Sequence, residues 1–184
     1  SYSYLYPKAT QNPDAFYASP ILSTEAAKDA SDLGFTAIKF DPAGPYTIYG
    51  GHQPSGEIIT LSKQFCKSIR SAVGNSVDLL FGTHGQFTAS GAIRLAKAIE
   101  KYDPLWFEEP VPPDNYINMQ KVAENTSIPI ATGERLTTKY EFYNILRLGA
   151  ASILQPALGR VGGIWEAKKI ACIAEVFGAQ VAPH

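Results

Sequence analysis

The amino-acid sequence predicts an α/β protein of the (β/α)8 TIM-type barrel class, incomplete in this chain, with about seven of the eight strands. Short apolar runs alternate with amphipathic helical segments, which implies a parallel sheet with crossover helices. From Phe81, strand-end positions recur at Phe107, Ile130, Leu154 and Val181, which are 26, 23, 24 and 27 residues apart, a regular spacing that favours a barrel over a doubly wound sheet. No glycine-rich phosphate fingerprint follows the first strand, which also argues against the dinucleotide fold.

Seven short apolar runs are the predicted strands. They cover Tyr2–Tyr6, Ala37–Phe40, Asp78–Phe81, Leu105–Phe107, Ile128–Ala131, Ser152–Leu154 and Gln180–Ala182. A closed barrel needs eight strands and roughly 250 residues. We therefore expect residues 1–184 to be a piece of a longer protein, and to aggregate or remain molten alone.

Six helices are predicted between the strands from apolar positions that recur at helical spacing. Three such faces are Ala26, Ala27, Ala30 and Leu33; Ala92, Leu95, Ala96 and Ile99; and Ala167, Ile170, Ala171 and Ala174. Glycines at positions 34, 74, 149 and 178 predict left-handed helix ends.

Composition indicates an ordinary globular domain. Hydrophobic residues make up 45% and charged residues 18% of the 184 residues, and the net charge is −1. This balance offers no electrostatic footprint for nucleic acid or an acidic membrane surface, so neither partner is expected. Cys66 and Cys172 lie far apart among apolar helical positions and predict reduced core residues, hence a cytoplasmic protein.

Two carboxylate motifs stand one barrel unit apart, each after an apolar run. Trp106-Phe107-Glu108-Glu109-Pro110 follows the fourth predicted strand, and Ile130-Ala131-Thr132-Gly133-Glu134-Arg135 contains the end of the fifth. Parallel barrel strands end on one face, so acids at successive strand ends converge. Converging carboxylate oxygens suit Mg²⁺, so the acids of the two motifs together look like half of a metal site.

At this point the chain resembles the barrel domain of the enolase superfamily, in the mandelate racemase and muconate lactonizing enzyme group, and within it the galactonate dehydratase type of acid-sugar dehydratase. The resemblance covers essentially the whole chain and implies that residues 1–184 are the C-terminal-type catalytic barrel domain of a longer enolase-superfamily protein. The six motifs that carry it, in order, are Gly34-Phe35-Thr36-Ala37-Ile38-Lys39, Phe107-Glu108-Glu109-Pro110, Ala131-Thr132-Gly133-Glu134-Arg135, Ile153-Leu154-Gln155-Pro156, Val161-Gly162-Gly163 and Ala182-Pro183-His184.

The resemblance implies removal of the proton α to a carboxylate, helped by Mg²⁺ or Mn²⁺, and loss of the β-hydroxyl to give a 2-keto-3-deoxy acid. Glu108 and Glu134 match the family's second and third metal ligands. The first ligand, an Asp ending the third strand, is here Gly82. Three outcomes stay open: His84 reaches the ion, water fills the gap, or the metal is weak or absent.

Two histidines match the acid and base of the family. His84 corresponds to the general acid for the departing hydroxyl, and His184 to the base that ends the seventh strand. The Asp that normally orients this base is here Ala157. Each histidine also has a plain alternative as a local hydrogen-bonding residue.

Three further residues complete the predicted site. Lys39 matches the first lysine of a Lys-x-Lys pair whose second position is Asp41, so Lys39 is a candidate catalytic and substrate-binding residue. Tyr49, in the long loop after the second strand, is an alternative base. Arg135 is a candidate for binding a substrate carboxylate or hydroxyl.

Two functions of different classes follow. One is a metal-dependent dehydratase of a small sugar acid. The other is an impaired or divergent barrel that binds an acid sugar or has a structural role, since Gly82 and Ala157 each delete a carboxylate. The superfamily favours symmetric assemblies, so a homo-oligomer is expected.

Overall fold

Seven parallel strands form one curled sheet in the computed structural model, which describes residues 1–41, 43 and 51–184. The strands run in chain order across the sheet, so each pairs with the next along the sequence. They are β1 (Ser3–Tyr4), β2 (Ala37–Phe40), β3 (Asp78–Gly82), β4 (Pro104–Glu108), β5 (Ile130–Thr132), β6 (Ile153–Leu154) and β7 (Gln180–Val181). The predicted incomplete TIM-type barrel is confirmed, with β1 and β7 at its open edges.

Helices follow the strands on the outside of the curl. They are α1 (Pro13–Tyr17), α2 (Pro20–Asp32), α3 (Gly56–Val73), α4 (Ala89–Ile99), α5 (Tyr116–Ala123), α6 (Lys139–Arg147), α7 (Leu158–Val161) and α8 (Ile164–Val176), with a 3₁₀ turn at Glu100–Tyr102. The six predicted helices are present. The two additional ones, α1 and α7, have five and four residues, too few to show a helical period.

Local chemistry accounts for where the helices begin and end. Ser19 caps α2 and Pro20 occupies its first turn, where a missing N–H costs nothing. All four predicted helix-ending glycines take positive φ, as in Gly34 at +91°. Leu33 was wrongly predicted as a face residue of α2. It lies beyond the helix end at Asp32 and is 79% exposed.

Two apolar layers flank the sheet because strand side chains alternate between its faces. Phe81 and Phe107 point outward into the large core under the helices. Leu80 and Trp106 point inward, with Ala131 and Ile153, into a small core inside the curl. The next inward positions are Gly82 and Glu108, which are register partners. The candidate site therefore lies directly above the inner core, at the carboxyl ends of the strands.

Among the described residues, no helix is both long and apolar enough to cross a membrane.

Candidate active site

Glu108 is a buried carboxylate with both oxygens engaged. Its Oε1 accepts from Lys39 Nζ at 2.5 Å. Its Oε2 accepts from Trp106 Nε1 at 3.2 Å and from Gln155 Nε2 at 2.9 Å. A buried charge is tolerated only when it is paired and hydrogen-bonded, and these three donors meet that condition. β2, β4 and β6 thus hold one carboxylate in a fixed orientation.

Lys39 brings a permanent positive charge into the site. Its side chain is 2% exposed, and its Nζ lies 5.4 Å from the centre of the Tyr4 ring. Burial works to lower the pKa of Lys39, but the adjacent Glu108 carboxylate outweighs it, and the pKa stays above the ordinary lysine value. Lys39 therefore remains an ammonium ion at neutral pH, suited to attracting a substrate carboxylate.

Asp41 occupies the space beside Gly82. The β2–β3 register pairs Phe40 with Phe81, and one residue further along brings Asp41 next to Gly82. A Cβ atom on Gly82 would lie 2.5 Å from Asp41 Oδ1 and 3.4 Å from Lys39 Cε. The carboxylate missing from β3 is thus matched by one at the end of β2. Burial raises the pKa of Asp41 above its ordinary value, although His84, Tyr4 and Lys39 oppose that rise.

His84 lies on the turn after β3 in a left-handed backbone conformation, with φ at +52°. Its Nδ1 is 3.6 Å from Asp41 Oδ1, and its side chain is 22% exposed. Its carbonyl oxygen accepts a hydrogen bond from Arg135 Nη2 at 3.1 Å. Backbone strain of this kind is found where a side chain must be aimed, and here it turns His84 toward the site.

Arg135 and Glu109 form a buried ion pair that ties the ends of β3, β4 and β5 together. Arg135 donates to Glu109 Oε2 from Nε at 2.9 Å and from Nη2 at 2.6 Å. A Cβ on Gly85 would lie 2.4 Å from Arg135 Nη2, so a glycine is needed for this approach. Burial raises the pKa of Glu109 to about 7, against the lowering effect of Arg135. Arg135, a predicted substrate-binding residue, thus also braces the site through a contact that was not predicted from the sequence.

Glu134 and His184 meet across the mouth of the curl. Oε2 of Glu134 lies 3.1 Å from Nε2 of His184, with the glutamate side chain 14% exposed and the histidine 49% exposed. Ala157 offers His184 no carboxylate. Glu134 therefore supplies the anionic neighbour of the histidine in this structure. The other candidate base, Tyr49, lies outside the described residues.

The side chains on this face offer oxygen atoms, which are the ligands that a hard divalent cation binds. Asp41, Glu108 and Glu134 offer carboxylate oxygens, the ligands that Mg²⁺ prefers. Asp41 Oδ1 is buried and without a hydrogen-bond partner among the described residues, as an oxygen awaiting a cation would be. In the part of the chain that the structure describes, no three His, Cys, Asp or Glu side chains lie close enough together to hold an ion as they stand. Lys39 and His184 engage Glu108 and Glu134 instead.

Sequence comparison finds relatives with one kind of activity in their names. The chain is 34% identical to a D-xylonate dehydratase of Haloferax volcanii, over 100% of this chain and 44% of the relative. It is 34% identical to a D-gluconate dehydratase of Thermoproteus tenax, over 90% of this chain and 32% of the relative. A D-galactonate dehydratase of Ralstonia pickettii is 43% identical, over 63% of this chain and 30% of the relative. The chain spans less than half the length of these curated relatives.

Solved structures give the same result for the fold. A mandelate racemase/muconate lactonizing enzyme-like protein from Roseovarius sp. TM1035 is 61% identical, with a TM-score of 0.96, over 100% of this chain and 46% of that one. A dehydratase protein from Salmonella enterica is 31% identical with a TM-score of 0.92, over 100% of this chain and 49% of that one. The enolase C-terminal domain-like family model matches residues 22–184. The chain therefore belongs to the enolase C-terminal domain-like family.

Proposed function

We propose that this chain is the catalytic barrel of a sugar-acid dehydratase, a hydro-lyase that takes a small polyhydroxy carboxylate and releases a 2-keto-3-deoxy acid and water. The names of the curated relatives support this reaction class. The observation that carries it is two histidines, one after β3 and one after β7, each beside a carboxylate, on the same face as a buried ammonium ion.

His184 is the proposed base. Its Nε2 lies next to Glu134 at the site mouth, and imidazole is the side chain most often used as a general base. It removes the proton on C2 of the substrate, and the anionic neighbour stabilises the imidazolium that forms. Tyr49 is the alternative base, and the product stereochemistry follows from which of the two acts.

His84 is the proposed acid. It protonates the hydroxyl on C3 as the C3–O bond breaks, so the hydroxyl leaves as water. The resulting enol then takes up a proton at C3 and becomes the 2-keto acid. Lys39, held as an ammonium ion, attracts the substrate carboxylate, and Arg135 is a second candidate for that contact.

Glu108 and Glu134 are the residues that would hold a divalent ion, Mg²⁺ or Mn²⁺, with Asp41 and His84 the neighbouring donors. The ion supplies concentrated positive charge for the negative charge that develops on the substrate carboxylate. The weak acidity of a proton α to a carboxylate makes such charge necessary. A bound ion also requires Lys39 and His184 to share or release these two carboxylates.

The test is a product screen on the intact protein. D-xylonate, D-gluconate and D-galactonate are each incubated with the protein and Mg²⁺, and 2-keto-3-deoxy acids are measured. We expect product from at least one acid, at least a hundredfold less product with His84→Asn, and little change with the control His52→Asn. Absence of product from a panel of sugar acids, with Mg²⁺ and with Mn²⁺, rejects the proposal.

A second candidate function is binding of an acid sugar without turnover, favoured by Gly82 and Ala157 in place of two carboxylates. It predicts calorimetric binding of a sugar acid that Lys39→Met abolishes, with no product.

A further inference from the structure

Asp41 and Gly82 are neighbours on adjacent strands that share one side-chain space. A Cβ atom at residue 82 would lie 2.5 Å from Asp41 Oδ1, which is shorter than any tolerable contact. By standard bond lengths, an aspartate at residue 82 would carry its own oxygens about 2.4 Å from its Cβ. Any side chain at residue 82 would therefore displace Asp41. The glycine is what allows a carboxylate from β2 to stand at the end of β3.

Two contacts fix the orientation of the Asp41 carboxylate. Its Oδ2 accepts a hydrogen bond from the Tyr4 hydroxyl on β1. Its Oδ1, which has no hydrogen-bond partner among the described residues, lies 3.6 Å from His84 Nδ1. The side chain is 11% exposed, so water screens this pair only weakly. Asp41 thus bridges the first strand and the turn after the third.

His84 is held independently from its other side. Its carbonyl accepts from Arg135, and the N–H of Gly85 donates to the Glu109 carbonyl at 2.6 Å. The backbone of the turn is therefore held from the ends of β4 and β5, while Asp41 approaches the imidazole ring at Nδ1.

We propose that Asp41 is a positioning residue that keeps the proton of His84 on Nδ1 and thereby presents Nε2 to the substrate, and that Gly82 is required for it to do so. A carboxylate beside one ring nitrogen fixes the tautomer and orientation of a histidine and stabilises its protonated form. The catalytic consequence rests on the proposed dehydratase function; the tautomer does not.

The test is nitrogen NMR of the intact protein labelled with ¹⁵N-histidine, recorded at a pH high enough for the imidazole ring to be neutral. We expect His84 in the Nδ1–H form in the wild type and mainly in the Nε2–H form in Asp41→Asn. Gly82→Ala, which pushes the carboxylate away without removing it, should give the same change. Asp29→Asn, at an exposed pair with Lys8, is the matched control and should change nothing. His84→Asn assigns the signal.

Each outcome of the NMR experiment supports or overturns the proposal. An Nε2–H form in the wild type, or an unchanged His84 signal in the folded variants, overturns the proposal. If Asp41→Asn does not fold, Gly82→Ala alone decides by the same criterion, and if neither folds, the wild-type tautomer does.

Kinetics then separate this inference from the proposed function. Asp41→Asn should lower kcat about 10–100-fold with little change in KM. The expected tautomer with no dehydratase activity rejects only the function. Full activity with an unexpected tautomer rejects only the role of Asp41.

Discussion

Glu134 Oε2 and His184 Nε2 lie 3.1 Å apart, at the ends of β5 and β7. The pair places one carboxylate where it serves either a histidine or a cation. Since β6 offers only Ala157 at its end, the histidine depends on Glu134 for an anionic neighbour.

The first prediction concerns divalent metal. A calorimetric titration of Mg²⁺ into the intact protein should show binding that Glu134→Gln abolishes or weakens at least tenfold, because a neutral amide is a poor ligand for Mg²⁺. Glu124→Gln, whose exposed carboxylate accepts a hydrogen bond from Gln120, is the matched control and should bind as the wild type does. Equal affinity in the wild type and Glu134→Gln would remove this residue from the ligand set.

The second prediction concerns Gly82. Gly82→Ala should lower the free energy of unfolding by about 1–3 kcal/mol, because its Cβ overlaps the Asp41 carboxylate. In a double-mutant cycle, Asp41→Ala should relieve much of this cost. Chemical denaturation measures both, with Gly56→Ala as the control, since a Cβ there meets nothing within 4 Å. Additive costs in the cycle would show that the two positions do not share space.

The third prediction concerns Lys39. Lys39→Met leaves Glu108 charged and buried without its cation, which should cost about 3–5 kcal/mol of unfolding free energy. The double variant Lys39→Met with Glu108→Gln should recover a large part of the lost unfolding free energy, because neither charge of the pair remains. Urea denaturation measures these values. Lys8→Met, at an exposed ion pair, is the control, and a Lys39 effect no larger than that of Lys8 would contradict the account.

The fourth prediction concerns pH and the start of α6. Glu141 closes a capping box with Thr138, accepting from the Thr138 N–H at 2.7 Å. Burial works to raise the pKa of Glu141, but hydrogen bonds from Thr137 and Thr138 prevail and lower it. Because the pKa of Glu141 is lower in the folded than in the unfolded state, its carboxylate stabilises the fold at pH values above the unfolded-state pKa. This contribution disappears as the pH falls through the folded-state pKa.

Thermal unfolding should therefore show Glu141→Gln less stable than the wild type at pH 7, with the difference shrinking toward pH 3. Thr138→Ala should cost about 1 kcal/mol at neutral pH through loss of the cap. Glu175→Gln on the exposed end of α8 is the control. If the stability difference between the wild type and Glu141→Gln grew as the pH fell, the carboxylate would not stabilise the fold as predicted.

The strand order and the positions of the site residues were predictable from sequence because they depend on local periodicity. Each strand is a short apolar run, and successive strands of a barrel end on one face, so Glu108 and Glu134 fall together. His84 and His184 were instead identified from the family resemblance, which matched them to the general acid and the base. The short helices α1 and α7 escaped prediction because fewer than two turns carry no period.

The partners of these residues were not predictable, since they depend on contacts between distant strands. Asp41 appeared only as the second position of a Lys-x-Lys pattern, while the structure brings it beside Gly82. Gln155 and Trp106 both donate to Glu108, and nothing near them in sequence indicates that. One signal was available: alternation on β2 puts Lys39 and Asp41 on the same face.

Deuterium exchange at C2 of the substrate shows directly which histidine removes the proton. A sugar acid that the intact protein accepts is incubated in D₂O with Mg²⁺, and proton NMR follows the C2 proton and the 2-keto-3-deoxy product. We predict that His184→Asn neither exchanges the C2 proton nor forms product, while His84→Asn still exchanges the C2 proton but forms little product. Exchange and elimination that survive His184→Asn at wild-type rates would contradict the assignment of His184 as the base.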